Sequence, residues 1–140
     1  NSNKVHDGFI GDSFIGEWVN IGAGTNNSNL KNNYSNVKFS FNGEDNIDTG
    51  CQFLGSMIGD YTKIGISSML NTGTYIGLGA NVFGYGFQNK YIPSFAWGKN
   101  DIKTDFDKFI NTCQQMYLRR DKELSEIETK FLYYLYNKKK

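Results

Sequence analysis

The chain has 140 residues, 39% of them hydrophobic and 16% aromatic, which is enough for one domain with an apolar core and excludes global disorder. Fifteen Lys and Arg residues against 14 Asp and Glu give a net charge of +1, which supplies no basic surface for nucleic acid or an anionic membrane. The longest apolar run, residues 131–136, is too short to span a bilayer, and we expect no secretion signal. The two cysteines, Cys51 and Cys113, are expected to be reduced thiols in a cytoplasmic protein.

Apolar residues, mostly branched aliphatics, recur at every sixth position in two stretches of the chain. The first stretch is Phe9, Ile15 and Ile21, and the second is Ile58, Ile64, Leu70, Ile76 and Val82. A small residue follows each of them four positions later, and Gly often follows directly. A period of six is neither helical nor a simple alternation, and it predicts a solenoid of short strands whose aliphatic residues point inward. Three hexads should make one triangular coil, with neighbouring coils about 4.8 Å apart.

A polar segment at about residues 27–48 interrupts this period. It begins with an Asn-rich run, continues with Val37, Phe39 and Phe41 in the alternation of a short strand, and ends in a turn at 42–46. A long loop that projects from a regular solenoid is more often functional than decorative. We therefore expect a functional loop insertion here.

The last third of the chain has a different character. Residues 92–98 contain Pro and Gly among aromatics and predict an irregular linker. Thr104 is expected to N-cap a first helix, and Ser125 with Glu128 forms the capping box of a second. The predicted apolar stripe of the first helix is Phe106, Phe109, Ile110, Cys113 and Tyr117, and that of the second is Ile127, Phe131, Leu132 and Leu135.

The repeat has the form [LIV]-G-x-x-[STAV]-x, which resembles the left-handed β-helix family. The predicted fold class is therefore all-β, a left-handed parallel β-helix of hexapeptide repeats over residues 1–99. A C-terminal two-helix hairpin is predicted over residues 100–140. The open end of a solenoid exposes unpaired strand edges, and the two helices are the expected cap.

Residues 5–26 carry the most specific motifs of the chain. They contain His-x-x-Phe-Ile-Gly-Asp from His6, then Val-Asn-Ile-Gly-Ala-Gly-Thr from Val19, then an Asn-bearing loop. These motifs resemble the acetyltransferase domain of the bifunctional N-acetylglucosamine-1-phosphate uridyltransferase/glucosamine-1-phosphate acetyltransferase family, over roughly residues 4–86. The segments Gly-Glu-Trp-Val-Asn and Ile-Pro-Ser-Phe-x-Trp-Gly, with the two-helix tail, resemble the GlmU-like sugar nucleotidyltransferases of Bacteroidetes-type bacteria. The resemblance implies an upstream nucleotidyltransferase domain before Asn1, and Mg²⁺ only for that domain.

The resemblance implies that His6 is the catalytic base. Transfer of an acetyl group to an amine requires a base that takes the proton as the nitrogen attacks, and imidazole, with an ordinary pKa near 6.5, suits this role. Asp7 is a candidate to orient His6, although adjacent side chains on a strand point in opposite directions. The substrate-binding residues of the family correspond to Asn20 and Asn29.

The remaining implied site residues concern acetyl-CoA and the sugar phosphate. Family positions that line the acetyl-CoA site correspond to Ala23, Ile66 and Gly84. Two family tyrosines are replaced, by Phe9 and by Leu30, so the phosphate is expected to be held by Lys31 or Lys38, or contacted by Tyr34.

The implied activity is acetyl transfer from acetyl-CoA to a sugar phosphate, with glucosamine-1-phosphate as the expected acceptor, by a homotrimer with sites between subunits. Its expected partners are small-molecule substrates, with no nucleic acid or membrane. No metal ion is expected either, because a single histidine cannot build a three-His zinc site. Two alternatives remain open. One is a non-catalytic β-helix that trimerises and regulates a sugar-1-phosphate nucleotidyltransferase, and the other is an acyltransferase for a different amino sugar or a lipid-linked substrate.

Overall fold

The structure is a computed structural model that describes residues 2–98 and 100–138. Residues 1, 99, 139 and 140, which fall within the predicted domain ranges, lie outside the described residues. The chain divides into two compact units, Asn1–Ile102 and Lys103–Lys140. The elements in chain order are β1 (Phe14–Ile15), β2 (Asn20–Ile21), β3 (Asn26–Asn27), β4 (Lys38–Phe39), β5 (Ile47–Asp48), β6 (Ser56–Ile58), β7 (Lys63–Ile64), β8 (Met69–Leu70), β9 (Thr74–Ile76), β10 (Asn81–Val82), β11 (Tyr91–Ile92), β12 (Ala96–Trp97), β13 (Asn100–Lys103), α1 (Phe106–Leu118) and α2 (Glu126–Asn137).

Short parallel strands from successive turns of the chain stack into three sheets. The strand orders are β1-β6-β9-β11, β13-β12-β10-β7-β2 and β3-β8. Ile58 pairs with Ile76 and Ile64 with Val82, so each turn adds three hexads before the chain returns to the same sheet. Parallel sheets visited in rotation by one chain are compatible with a β-helix of three-sided coils. The predicted hexad period is therefore matched by the pairing register.

The aliphatic residue of each hexad forms the core of this unit. Ile21, Ile64 and Val82 are all buried and stand in one column, and Ile58, Ile76 and Ile92 are buried in a second. The small residues four positions on are buried as well, for example Thr62 and Ala80. The inward direction of the repeat is confirmed at these positions.

The glycine that follows the aliphatic residue permits close contact between coils. A Cβ on Gly22 would lie 2.5 Å from the backbone nitrogen of Ile66, and one on Gly77 would lie 2.4 Å from that of Ser94, both in the adjacent coil. The amides of these glycines donate to the carbonyl oxygens of Ile64 and Ile92 at 2.8 Å. At Gly22 and Gly77, glycine therefore follows the aliphatic residue because the hydrogen-bonded backbones leave no room for a side chain.

Asn27 occupies an aliphatic position of the third column, where its neighbour is Leu70. Its side chain is buried, and Oδ1 accepts from the amide of Gly11 at 2.8 Å. Nδ2 donates to the Gly11 carbonyl and to Ser13 Oγ, both at 3.0 Å. Ser13 Oγ accepts in turn from the amide of Ser56 at 2.9 Å. The buried amide is stable here because both of its ends are hydrogen-bonded.

Three predictions for this unit need correction. Phe9 and Ile15 were expected to point inward, but they are 55% and 38% exposed. For Ile15 the reason is that β1 is an edge strand, so its side chain is covered by a coil on one side only. The predicted linker at residues 92–98 instead continues the solenoid, since Ile92 pairs with Ile76 and Phe95 and Ala96 are buried. Pro93 fits because β11 is the edge strand of its sheet, so no further strand among the described residues needs the amide hydrogen that proline lacks.

The inserted segment folds back onto the solenoid of its own chain. Strands β4 and β5 form an antiparallel hairpin, and Val37 and Phe39 are buried. Phe39 and Phe41 make edge-on contacts with the ring of Tyr75, at 6.0 Å between centroids in both cases. Burial raises the pKa of Tyr75, and the neighbouring Tyr91 raises it further. The predicted strand at Val37–Phe41 is therefore one side of a docked hairpin.

The second unit contains the two predicted helices. Asp105, and not Thr104, caps α1, because its carboxylate accepts from the amide of Lys108 at 3.0 Å. The predicted capping box of Ser125 and Glu128 is confirmed at the start of α2. Hydrogen bonds from Ser125 and from the Tyr117 hydroxyl hold the pKa of Glu128 below its ordinary value.

The apolar stripes of the helices differ in their burial. Phe109, Cys113 and Tyr117 of α1 are buried as predicted. On α2 only Leu132 is buried, whereas Ile127 is 80% and Phe131 58% exposed, so the predicted stripe is wrong for these two residues. No helix in residues 2–98 and 100–138 combines the length and apolarity that crossing a membrane requires.

We expect Gly22→Ala to lower the free energy of unfolding by about 1–3 kcal/mol, because the new methyl group would overlap the backbone of Ile66. Gly65→Ala is the matched control, since Gly65 has the same hexad position and its nearest contact would be 3.3 Å, to the Val82 oxygen. Chemical denaturation of both variants measures the difference. Equal stability of the two would contradict the close approach of the coils at Gly22.

We expect Asn27→Leu to destabilise the protein by about 1–3 kcal/mol, although leucine matches the repeat better. The substitution leaves the amide of Gly11 without its buried acceptor. Asn26→Leu serves as the control, since Asn26 is exposed and its loss should cost less. An Asn27→Leu protein with an unfolding midpoint at or above that of the wild type would refute this expectation.

Candidate active site

His6 lies on an exposed segment that leads into the first strand of the solenoid. Its carbonyl oxygen accepts from Lys4 Nζ at 2.8 Å, and the carbonyl of Asp7 accepts from the same nitrogen at 2.6 Å. Asp7 O also accepts from the amide of Gly24 at 2.8 Å. Among the described residues, the side chains of His6 and Asp7 form no hydrogen bond with each other. The backbone around His6 is therefore fixed while its imidazole is open to solvent.

The three predicted acetyl-CoA positions occupy one column on successive coils. Ala23, Ile66 and Gly84 each lie two residues after the paired core residues Ile21, Ile64 and Val82. Ala23 O accepts from the amide of Ser67 at 2.7 Å, across the corner between these coils. Ile66 is 76% exposed. The column therefore presents backbone groups and an isoleucine side chain to solvent.

The same corner contact relates His6 to this column. The carbonyl oxygen of Ala23 accepts from the amide of Ser67, at the corner of the next coil. The carbonyl oxygen of Asp7 accepts in the same way from the amide of Gly24, a corner residue with a φ of 69°. Asp7 thus holds the position in its coil that Ala23 holds in the following one. His6 precedes that position by one residue, so the structure brings the predicted base to the head of the Ala23–Ile66–Gly84 column.

Asn20 is exposed on β2. It forms a parallel bridge with Asn3 on one side and pairs with Lys63 on the other. Lys63 Nζ donates to the carbonyl oxygens of Trp18 and Tyr61, at 3.2 and 2.9 Å. Asn20 therefore lies on the outer side of the sheet whose inner side carries Ile21.

Asn29 lies at another corner, where the insertion leaves the solenoid. Its side-chain Nδ2 donates to Asp12 Oδ2 at 2.6 Å. A Cβ on Gly11 would lie 2.3 Å from Phe9 Cζ and 3.0 Å from Asn29 Nδ2, so the Phe9 ring and the Asn29 amide both cover this glycine. The amide of Phe9 is fixed by Asn26 Oδ1 at 2.8 Å. Because Phe9 follows His6 by three positions, at most about 10 Å separates their backbones.

The two predicted phosphate ligands lie in the insertion. Lys31 Nζ donates to the carbonyl of Asn36 at 2.5 Å. Lys38 is exposed on β4 and is the cross-strand partner of Asp48 on β5. The backbone amide of Gly50, and then Asn36 and the lysines, hold the pKa of Asp48 below its ordinary value.

Lys90 joins this group from the solenoid. Its Nζ donates to the carbonyl of Lys38 at 3.2 Å. Burial and the nearby charge of Lys31 lower the pKa of Lys90. Three lysines therefore approach one another around the hairpin. Lys90 is far from the other two in sequence, and no spacing signal could have linked them. Tyr34, the other candidate in this loop, is exposed and accepts from Gln52 Nε2 at its carbonyl oxygen.

The structure thus separates the predicted residues into groups. His6 lies at the Ala23 column, Asn20 on the adjacent sheet, Asn29 at the insertion corner, and Lys31 with Lys38 in the hairpin. Within residues 2–98 and 100–138, no three His, Cys, Asp or Glu side chains converge on a possible metal position. The residue that sequence reasoning missed is Asp12. It stands in the Gly-Asp motif, but only the fold shows that it contacts Asn29.

No protein-family model matches the chain. The chain is 37% identical over 82 residues to a bifunctional sugar-1-phosphate nucleotidylyltransferase/acetyltransferase of Sulfurisphaera tokodaii. The matched region is 59% of this chain and 20% of that protein, so the chain spans about a fifth of the length of this curated relative. The chain is thus distantly homologous to a bifunctional transferase.

Proposed function

We propose that the chain is part of a sugar nucleotidyltransferase and transfers an acetyl group from acetyl-CoA to the amino group of a sugar phosphate. Glucosamine-1-phosphate is the proposed acceptor, in the synthesis of UDP-N-acetylglucosamine in the cytoplasm. The observation that carries the proposal is the position of His6 at the head of the column Ala23, Ile66 and Gly84. The distant homology to a bifunctional nucleotidylyltransferase/acetyltransferase supports the reaction class.

The proposed assembly is a homotrimer of left-handed β-helices with sites between neighbouring subunits. The exposure of His6 and Ile66 supports a site that a second subunit completes, because neither residue lies in a closed pocket of its own chain. An intersubunit cleft would bury the apolar surface that Ile66 presents.

His6 acts as the general base in the proposed mechanism. Its neutral imidazole takes a proton from the amine while the nitrogen attacks the thioester carbonyl carbon. A carbon–nitrogen bond forms, the carbon–sulfur bond breaks, and the leaving thiolate receives the proton from the imidazolium. No covalent acetyl-enzyme is needed, so neither Cys51 nor Cys113 takes part.

The remaining residues bind and orient the substrates. Ala23, Ile66 and Gly84 have no polar side-chain atoms, so they would contact the pantetheine arm through backbone amides and apolar surface. Asn20 and Asn29 are the proposed contacts of the amino sugar, and Lys31 and Lys38 those of its phosphate. Phe9 supplies no hydroxyl to the acetyl carbonyl, so less stabilisation of the oxyanion is expected than from a phenol.

In the intact protein, we expect His6→Ala to reduce kcat for acetyl transfer to glucosamine-1-phosphate by about 10²–10⁴-fold. Release of free CoA thiol measures the rate, and the unfolding midpoint should not change because His6 is exposed. Added imidazole should restore part of the activity of this variant. Unaltered turnover would remove His6 from the mechanism.

The non-catalytic alternative is favoured by one specific observation. Phe9 and Leu30 lack the hydroxyl groups that the resembling family provides at these positions. Calorimetric titration of the intact protein with acetyl-CoA distinguishes the two functions, since saturable binding supports the enzyme and its absence supports a structural role. If acetyl-CoA binds and glucosamine-1-phosphate is not acetylated, a panel of amino sugars and lipid-linked acceptors would identify a different acceptor.

A further inference from the structure

We propose that Asp12 is a positioning residue that fixes the side-chain amide of Asn29, so that Oδ1 of Asn29 accepts a hydrogen bond from the amino group of the acceptor. The inference rests on the proposed acetyl transfer and deepens it, because it assigns a role to a residue outside the predicted site. It starts from the contact of 2.6 Å between Asn29 Nδ2 and Asp12 Oδ2.

The chemistry of the pair determines which way the Asn29 amide faces. An ionised carboxylate accepts hydrogen bonds and cannot donate them, so only the NH₂ end of the amide can face Asp12. A hydrogen bond to a charged acceptor is also stronger than one between neutral groups. Oδ1 of Asn29 is therefore the atom left for a ligand, and none of the described residues donates to it.

The backbones of both residues are held by one neighbouring segment. The amide of Leu54 donates to the carbonyl of Asn29 at 2.9 Å, and the amide of Gly55 donates to that of Asp12 at 2.8 Å. Two consecutive amides at the end of the insertion thus fix both members of the pair. The contact between their side chains does not depend on a mobile loop.

The backbone at residue 12 also restricts which side chain can stand there. Asp12 has a φ of 45°, in the left-handed region that Asp and Asn tolerate better than other non-glycine residues. A glycine would satisfy this conformation equally well, and the solenoid uses Gly73 with a φ of 64° three residues after Leu70, as Asp12 follows Phe9. A corner alone therefore does not require the carboxylate, and its contact with Asn29 supplies a reason for it.

The amide orientation has a consequence for the acceptor. With Oδ1 directed to the ligand, Asn29 can accept a hydrogen bond from a ligand N–H group. If the amide were flipped, its NH₂ group would face the ligand N–H group, and two donors would meet. An amine that donates one hydrogen to Oδ1 is held with its orientation restricted, which lowers the entropic cost of attack. Phe9 covers the same glycine as Asn29, and His6 lies three residues before Phe9, so Asn29 lies beside the segment that carries both the base and Asp12.

The test is Asp12→Asn in the intact protein. Asparagine keeps the size of the side chain and tolerates the left-handed φ, but it can face Asn29 with either its oxygen or its NH₂ group, so the orientation of Asn29 is no longer fixed. We expect KM for glucosamine-1-phosphate to rise by about tenfold, as for the loss of one hydrogen bond to a ligand, while KM for acetyl-CoA and the unfolding midpoint stay unchanged.

Asp60→Asn is the matched control. Asp60 Oδ1 accepts from the amide of Glu17 at 2.7 Å, so this substitution also removes a carboxylate that links two coils, but Asp60 has no contact with Asn29. The control should leave both KM values unchanged. A rise in KM with Asp60→Asn equal to that with Asp12→Asn would indicate a general effect on the solenoid and would overturn the inference.

A second measurement separates this inference from the proposed function. In NMR spectra, the side-chain NH₂ resonances of Asn29 should move between the wild type and Asp12→Asn, and they should stay in place with Asp60→Asn. If the wild type acetylates glucosamine-1-phosphate and Asp12→Asn changes neither KM nor these resonances, the inference fails alone. If the wild type acetylates no amino sugar, the proposed function fails, and the inference fails with it even where Asp12→Asn moves the Asn29 resonances.

Discussion

The close stacking of successive backbone turns governs the first unit of this protein. The amide of Gly22 donates to Ile64 O, and the amide of Gly65 donates to Val82 O, both at 2.8 Å. At Gly22 no Cβ can be accommodated between the coils. This close spacing sets the order of residues within a hexad. The residue before the glycine enters the core, and the residues after it form the corner of the coil.

The corners of the coils carry the candidate functional side chains. Core side chains are mainly aliphatic or hydrogen-bonded, whereas a corner residue faces solvent. His6 and Ala23 lie at one corner, and Asp12 and Asn29 at another, where the insertion begins. A rigid solenoid therefore holds exposed functional side chains at fixed spacing, which favours a site with little reorganisation on binding.

The inserted segment packs on the solenoid and does not project from it as a free loop. Its hairpin packs Phe39 and Phe41 against Tyr75, and the rings of Tyr75 and Tyr91 stack at 5.6 Å between centroids. Aromatic contacts of this kind add to the stabilisation from buried area. The end of the insertion then supplies the amides of Leu54 and Gly55, which hold Asn29 and Asp12. The segment that follows the docked hairpin therefore also fixes the backbone of the corner at Asp12 and Asn29.

The residue pattern alone predicts the period, the inward residues from Ile21 onward, the capping box at Ser125 and the interruption after residue 27. These are local properties, since each depends on residue types at fixed spacing. It misplaced Ile15 and Phe131, because burial depends on what covers a residue and not on its place in a pattern. It also described residues 92–98 as an irregular linker, because Pro93 and Gly98 signal an irregular segment unless the pairing of Ile92 with Ile76 is known.

Which residues from distant parts of the chain come into contact depends on the complete fold. The contact between Asp12 and Asn29 spans 17 positions of sequence, and that between Lys90 and Lys38 spans 52. Neither separation is a multiple of the hexad, so the period cannot predict them. The first contact arises because consecutive coils stack and bring residues 9–12 beside residues 27–29. The second arises because a hairpin is inserted between two coils and packs on the solenoid through side-chain contacts.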